Sequence, residues 1–176
     1  SDNDISSKIW NKKNNDLKDL PITFIAVTTK SKNQIKESSL FKNNRIEHIF
    51  LSSEKLIYDP IDSSIARKVL KLPQDKKIIL FGCFNLSDKR KGGQYLLDAM
   101  KIMSENYANE KKLKDNVVLV TFGSKNKFDA SLSGFEWIHL GNISDDRMVR
   151  LIYHASDVFA CSSIDDVGPM MINEAY

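Results

Sequence analysis

DVFACSSIDDVGPMMINEAY, residues 157–176, reads as strand, loop and helix in immediate succession. Asp157–Cys161 is an apolar run of the length of a buried strand. Ser162–Val167 is polar and carries two adjacent carboxylates. Gly168-Pro169 then opens a helix, because proline's fixed φ suits the first helical position and its missing N–H is not needed there. Met171, Ile172 and Ala175 are expected to face the core, and Glu174 to lie near the positive end of the helix dipole, projecting into a cleft. Asp165, Asp166, the Gly168 backbone and Glu174 therefore converge on one small volume. Acceptors for hydroxyl groups there adjoin donors for an anion, a mixture suited to a sugar joined to a phosphate. The same residues also allow a plainer reading, in which Asp165 or Asp166 caps the helix and Glu174 is solvated.

Upstream, the same strand–loop–helix grammar repeats. Lys77–Phe81 (KIILF) is a buried strand closed by Gly82, and the loop CFNLSDKRKGG follows. Gln94–Tyr107 carries Leu96, Leu97, Met100, Met103 and Tyr107 at helical spacing. Asn109–Asn116 is a charged connection. Val117–Phe122 is a strand closed by Gly123, and Phe135–Leu140 a strand closed by Gly141. Ser144 is expected to cap a helix over Asp145–His154. Strands that alternate with helices pair in parallel, and unbroken runs of Val, Ile, Leu and Phe imply burial on both faces. The fold class is thus α/β, a Rossmann-like doubly wound parallel sheet. In its common strand order the strands at Lys77 and Asp157 are neighbours from which the chain turns opposite ways. That places the Lys89–Gly93 loop beside the Asp165–Gly168 loop, although they are far apart in the chain. It also brings Cys83 and Cys161, expected as reduced thiols, to adjacent strand ends. Lys91 is expected to point over the helix start, facing the Gly168 backbone.

The opening third reads as a polar helix within residues 1–19, a strand over Ile22–Val27, a helix over Ser31–Phe41 and a strand over Arg45–Leu51. Ser52–Asp62, which contains Pro60, reads as a linker, and Ser63–Leu70 as a helix capped by Ser63 or Ser64. With 26 Lys and Arg against 23 Asp and Glu, the charge excess of +3 does not call for nucleic acid. No apolar run approaches the length of a membrane span, and the first residues are no signal peptide. The two cysteines, Cys83 and Cys161, have neither metal-ligand spacing nor the number for a disulfide framework, so a reducing cytosol is the default. His48, His139 and His154 form no recognisable cluster.

Taken together, a strand closed by glycine, the loop end Arg90-Lys91-Gly92, an amphipathic helix, a second strand–glycine, LGNISDDRMVRLIYHASDVFACSS, and an acid followed after seven residues by Glu-Ala resemble the family-four retaining glycosyltransferases of the GT-B fold. The stretch SSLFKNNRIEHIF is similar to the end of that family's acceptor-side domain, and the closest likeness is to bacterial enzymes of surface-polysaccharide synthesis. The resemblance implies that residues 1–56 end an N-terminal acceptor-side domain and its linker. Residues 57–176 would then be a C-terminal nucleotide-sugar donor-binding domain, incomplete at its C-terminus. The chain is expected to be a fragment, inactive alone.

The family's site residues carry over position by position. Lys91 matches the lysine that neutralises the donor diphosphate, with Arg90 assisting. Asp166 matches the first acid of the motif, beside the donor sugar, and is one methylene shorter than the usual glutamate. Glu174 matches the acid that binds the nucleotide ribose. Gly168, Pro169 and Met170 match the loop whose backbone faces sugar and phosphates, and Gly141, Asn142 and Ile143 the region near the base. Cys83 stands where many members carry an arginine, so the diphosphate depends on Lys91 with Lys89 or Arg90. The implied reaction is transfer of a hexose from a nucleotide-diphosphate sugar to a glycan or lipid-linked acceptor, with retention of configuration. No metal and no cofactor beyond the donor substrate is implied. The implied location is cytoplasmic, with peripheral membrane contact left open. Two other readings stay open: a non-catalytic nucleotide-sugar binding or scaffold module, and a GT-B enzyme of sugar phosphates, a phosphorylase or epimerase.

Overall fold

A computed structural model of the chain describes residues 4–51, 60–107, 111–168 and 170–175. The chain gathers into two compact units, residues 1–52 and 53–176. The expected boundary at residue 56 and most of the expected linker, residues 52–59, lie outside the described residues.

In the first unit, α1 (Ile5–Leu17) starts where the Asp4 carboxylate accepts the Ser7 N–H at 2.8 Å. β1 (Thr23–Ala26) and β2 (Arg45–His48) pair in parallel, Thr23 opposite Arg45 and Ala26 opposite His48. Between them lies α2 (Thr29–Glu37), which begins earlier than Ser31 because Thr28 and Ser31 cap each other's backbone. It ends before Phe41, which leaves the helix to pack on Phe24 with ring centres 4.9 Å apart.

The second unit runs α3 (Ser63–Leu70), β3 (Lys77–Asn85), α4 (Gly93–Asn106), α5 (Lys111–Asn116), β4 (Val117–Ser124), β5 (Glu136–His139), α6 (Asp146–Ala155), β6 (Val158–Phe159) and α7 (Met170–Ala175). Its four-stranded sheet is wholly parallel, in the order β5-β4-β3-β6. The first and fourth strands of the unit are therefore neighbours, as the doubly wound order requires. Residues alternate across the sheet. Phe81 and Leu119 meet Leu97 and Met100 of α4 on one face. Ile78, Leu80, Val118 and Val120 meet Ala66 of α3 and Ile152 and Ala155 of α6 on the other. Full burial of each large aliphatic stabilises by roughly 1.5–3 kcal/mol, which is why these strands tolerate no polar side.

Several boundaries differ from the sequence reading. β3 and β4 do not stop at Gly82 and Gly123 but continue through them. Gly123 holds φ +116, and a Cβ there would lie 1.8 Å from the Cys83 carbonyl oxygen. The glycine thus permits a close strand approach rather than marking an end. At the same point β3 gains one residue on β4: Gly82 faces Phe122, but Asn85 faces Ser124. The caps of α3 and α6 are Asp62, one residue before Ser63, and Asp145, one residue after Ser144, since a carboxylate accepts the free N–H groups more strongly than a serine hydroxyl. Part of the expected charged connection is helical, as α5.

A buried cation locks the sheet to its helices. Arg67 of α3 donates to the carbonyls of Ala155, Gln74 and Lys76 and to the Asp157 carboxylate, at 2.8–3.3 Å. Asp157 in turn accepts the Ile78 N–H at 2.7 Å, tying the entrance of β6 to β3.

Candidate functional site

The loops that follow β3 and β6 are joined at their backbones. The Ile164 N–H donates to the Arg90 carbonyl at 2.9 Å, and the Ser162 hydroxyl to the Lys91 carbonyl at 3.2 Å. The joint needs a glycine between them. Gly92 holds φ +72, and a Cβ there would lie 1.9 Å from the Ser162 carbonyl oxygen. Lys89–Lys91 forms a single 3-10 turn capped by Asp88, so Lys91 leaves it in a fixed direction. Its Nζ meets Asp166 Oδ2 at 2.5 Å, while the other Asp166 oxygen accepts the Gly168 N–H at 3.4 Å. The side chains are 33% and 19% exposed, so the pair is neither solvated nor sealed. The hydrogen bond from Lys91 holds the Asp166 carboxyl below the usual carboxylate range, against the opposing pull of burial.

This pair lines a cavity of about 290 Å³ together with Gly168 and Met170. Cys83 and Cys161 line the same cavity and are both free thiols. Burial pushes the Cys83 thiol up, so it stays protonated and adds no charge. A second cavity of about 590 Å³ is lined by Asn142, Ile143 and Glu174, and it shares Cys83 and Met171 with the first. Adjoining at Cys83 and Met171, the two make up a trough over the C-terminal ends of β6, β3 and β4, with polarity sorted along it. The first holds a cation and its partner acid. The second holds the carboxylates of Asp146 and Glu174 among the amides of Asn85, Asn126 and Asn142.

Most of the residues singled out from the sequence therefore meet. Lys91, Asp166, Gly168 and Met170 line the first cavity, and Asn142, Ile143 and Glu174 the second. Gly141 is not among the lining residues; its carbonyl accepts the Gly123 N–H at 2.8 Å and so supports the trough from below. Arg90 points elsewhere: its guanidinium grips Asp88 at 2.8 Å and is largely exposed. Pro169 lies outside the described residues.

One contact was not legible. Glu174 accepts a hydrogen bond from the Tyr153 hydroxyl at 3.0 Å. Burial, and then the Glu174 carboxylate, push the Tyr153 phenol far above its ordinary value, so it remains a donor. Tyr153 of α6 thus fixes Glu174 toward the second cavity. Only Met171 of α7 packs into the core; Ile172 is 44% exposed and Ala175 is exposed too, contrary to the expectation that both face inward. Nothing in the spacing of Tyr153 and Glu174 announces their meeting, which depends on how α7 lies on α6.

No family model and no curated protein matches the sequence. Solved structures do match. WaaG, a glycosyltransferase involved in lipopolysaccharide biosynthesis, superposes with a TM-score of 0.68 at 16% identity, over 86% of this chain and 40% of that one. Sucrose-phosphate synthase from Thermosynechococcus elongatus gives 0.68 at 19% identity, over 98% and 42%. OtsA gives 0.64 at 16% identity, over 97% and 45%. This chain thus spans less than half the length of each. At such identities the likeness is one of architecture, and that architecture is the Rossmann-like α/β arrangement of the GT-B fold.

Proposed function

We propose that the chain is part of a retaining glycosyltransferase that moves a hexose from a nucleotide-diphosphate sugar to a glycan or lipid-linked acceptor. On this reading residues 57–176 bind the donor and residues 1–56 end the acceptor-side domain. The observation that carries it is the Lys91–Asp166 pair, held across two loops at the switch point of a doubly wound sheet, beside a trough that ends at Glu174. Ligands of such sheets bind at that point.

The chemistry divides by charge. Lys91 is the cation of the trough among its described lining residues. A diphosphate seated against it has its developing negative charge stabilised as the sugar departs. Asp166 is one carboxylate away and takes a hydroxyl of the transferred hexose. Glu174, held by Tyr153, takes the ribose hydroxyls in the second cavity, where no cation competes. Retention follows if the acceptor attacks from the face that the diphosphate leaves, so that the acceptor proton passes to the departing phosphate oxygen. No helix among the described residues is long and apolar enough to cross a membrane. A peripheral enzyme on the cytoplasmic side fits the lipid-linked acceptor class.

Calorimetric titration with UDP, GDP and glucose 1-phosphate tests the reading. Binding of a nucleoside diphosphate that falls about tenfold or more in Lys91→Met, and about ten- to a hundredfold in Glu174→Ala, is the expected result. Binding of the sugar phosphate alone would move the protein to the sugar-phosphate enzymes of the same fold.

A further inference from the structure

We infer that Asp166 selects the intact nucleotide sugar over the spent nucleoside diphosphate, by occupying Lys91 whenever no sugar hydroxyl is present to occupy Asp166 itself. The inference rests on the donor-binding reading above. Its observation is that the two groups assigned to different parts of one ligand are bound to each other, Nζ to Oδ2 at 2.5 Å, on the wall of the first cavity.

No other charged side chain is among the described residues lining that cavity. The nearby Arg90 guanidinium is engaged with Asp88 at 2.8 Å. Cys83, on the same wall, is a buried thiol without charge. The cavity is thus balanced by one cation and one anion, and any phosphate that enters disturbs that balance. A phosphate that takes the Lys91 ammonium competes with Asp166 for it and draws Nζ off the carboxylate. Asp166 then faces a second anion a few ångströms off, in a partly desolvated space where like charges repel strongly.

The two ligands differ in what they offer Asp166. The intact donor brings a sugar whose hydroxyls donate to the carboxylate, replacing the lost Lys91 bond with another charge-assisted one. Its phosphates are both esterified, each with a single charge. The nucleoside diphosphate brings no hydroxyl there and ends in a phosphate that carries roughly 1.5–2 charges at neutral pH. For the donor, then, both members of the broken ion pair find new partners. For the product only Lys91 does, and Asp166 pushes against the terminal phosphate. The geometry favours loading and, after transfer, release. The Gly168 N–H, 3.4 Å from the remaining Asp166 oxygen, keeps the carboxylate in place through the exchange.

The test is the ratio of affinities for UDP and UDP-glucose, and for GDP and GDP-mannose, measured by calorimetry on the full chain. In Asp166→Asn the free diphosphate should bind about tenfold tighter than in the parent, with the sugar ester unchanged or weaker, so the preference for the ester shrinks at least tenfold. Circular dichroism melting checks that the variant is folded, and Asp166→Ser repeats the measurement if the asparagine variant is not. A parent that binds the nucleotides, with the same ratio in the variant or with weaker diphosphate binding, overturns this inference and leaves the donor site standing. A parent that binds neither member of either pair overturns both.

Discussion

Replacing Gly92 and Gly141 by alanine, one at a time, measures how tightly the two loops of the site are held together. Both glycines sit in the left-handed region, at φ +72 and +78. An L-residue there costs about 1–2 kcal/mol, partly offset by about 0.4–1 kcal/mol from a stiffer unfolded chain. Those terms are common to both variants and cancel in the difference. The surroundings are not common. Around Gly141 no atom lies within 4 Å of an added Cβ, whereas at Gly92 the Ser162 carbonyl oxygen is 1.9 Å away. The clash forces the loops apart and loosens the Ile164–Arg90 and Ser162–Lys91 hydrogen bonds. Each is worth about 1 kcal/mol, so Gly92→Ala should cost about 2–3 kcal/mol more than Gly141→Ala. With a urea dependence of about 1–3 kcal/mol per molar, the midpoints should differ by about 1 M. A Trp10→Phe background leaves Trp137, which packs against Phe128 beneath Lys125, as the fluorescent reporter of this unit. Equal losses in the two variants, within about 0.5 kcal/mol, would refute the claim that the loops are locked against each other at this glycine.

Two further outcomes follow from buried polar groups. Arg67→Ala should destabilise by roughly 3–5 kcal/mol, because three carbonyls lose their donor and Asp157 loses one of its two cations; a urea midpoint within about 0.3 M of the parent would contradict that assignment. For His139, the Thr121 hydroxyl accepts the Trp137 indole N–H at 2.9 Å and lies 3.0 Å from His139 Nδ1, in a partly buried setting. Burial, then Lys125, holds its pKa below the ordinary 6.5. A depressed histidine contributes stability that is complete above 6.5 and is lost as pH falls through the folded value. The urea midpoint should therefore be flat from pH 8 to about 7 and decline below about 6.5, and His139→Asn should remove that share of the decline.

What could be read without coordinates followed from patterns that are local or topological. The apolar runs at Lys77, Val117 and Asp157 set strands in a doubly wound order, and that order alone put Lys91 near Asp166. The parts that could not be read are those in which a residue's meaning depends on a distant neighbour. Gly82 and Gly123 look like strand ends, yet they are points of close approach, Gly123 to the Cys83 carbonyl. Arg90 looks like a second phosphate ligand, yet Asp88, two residues earlier, already holds it. Ile172 and Ala175 have helical spacing for a core face, but α7 is six residues long and packs only Met171 on the core. Tyr153 carries no local signal of a role in the site, yet its hydroxyl is what orients Glu174.

The order of the strands also sets a timetable. β4 and β5 can be added to β3 in the sequence in which they are made, but β6, which carries Asp166 in its following loop, must wait and then dock on the other side of β3. Lys91 and Asp166 are separated by 75 residues. At a synthesis rate of about 5–20 residues per second, Lys91 leaves the ribosome about 4–15 s before its partner exists. Through that interval Lys91 lacks the carboxylate it later meets, on a half-built sheet whose β3 edge is open to pairing with other chains. A nascent chain stalled between these two residues should therefore associate with polyanions and with itself more readily than one released after β6 has closed the edge.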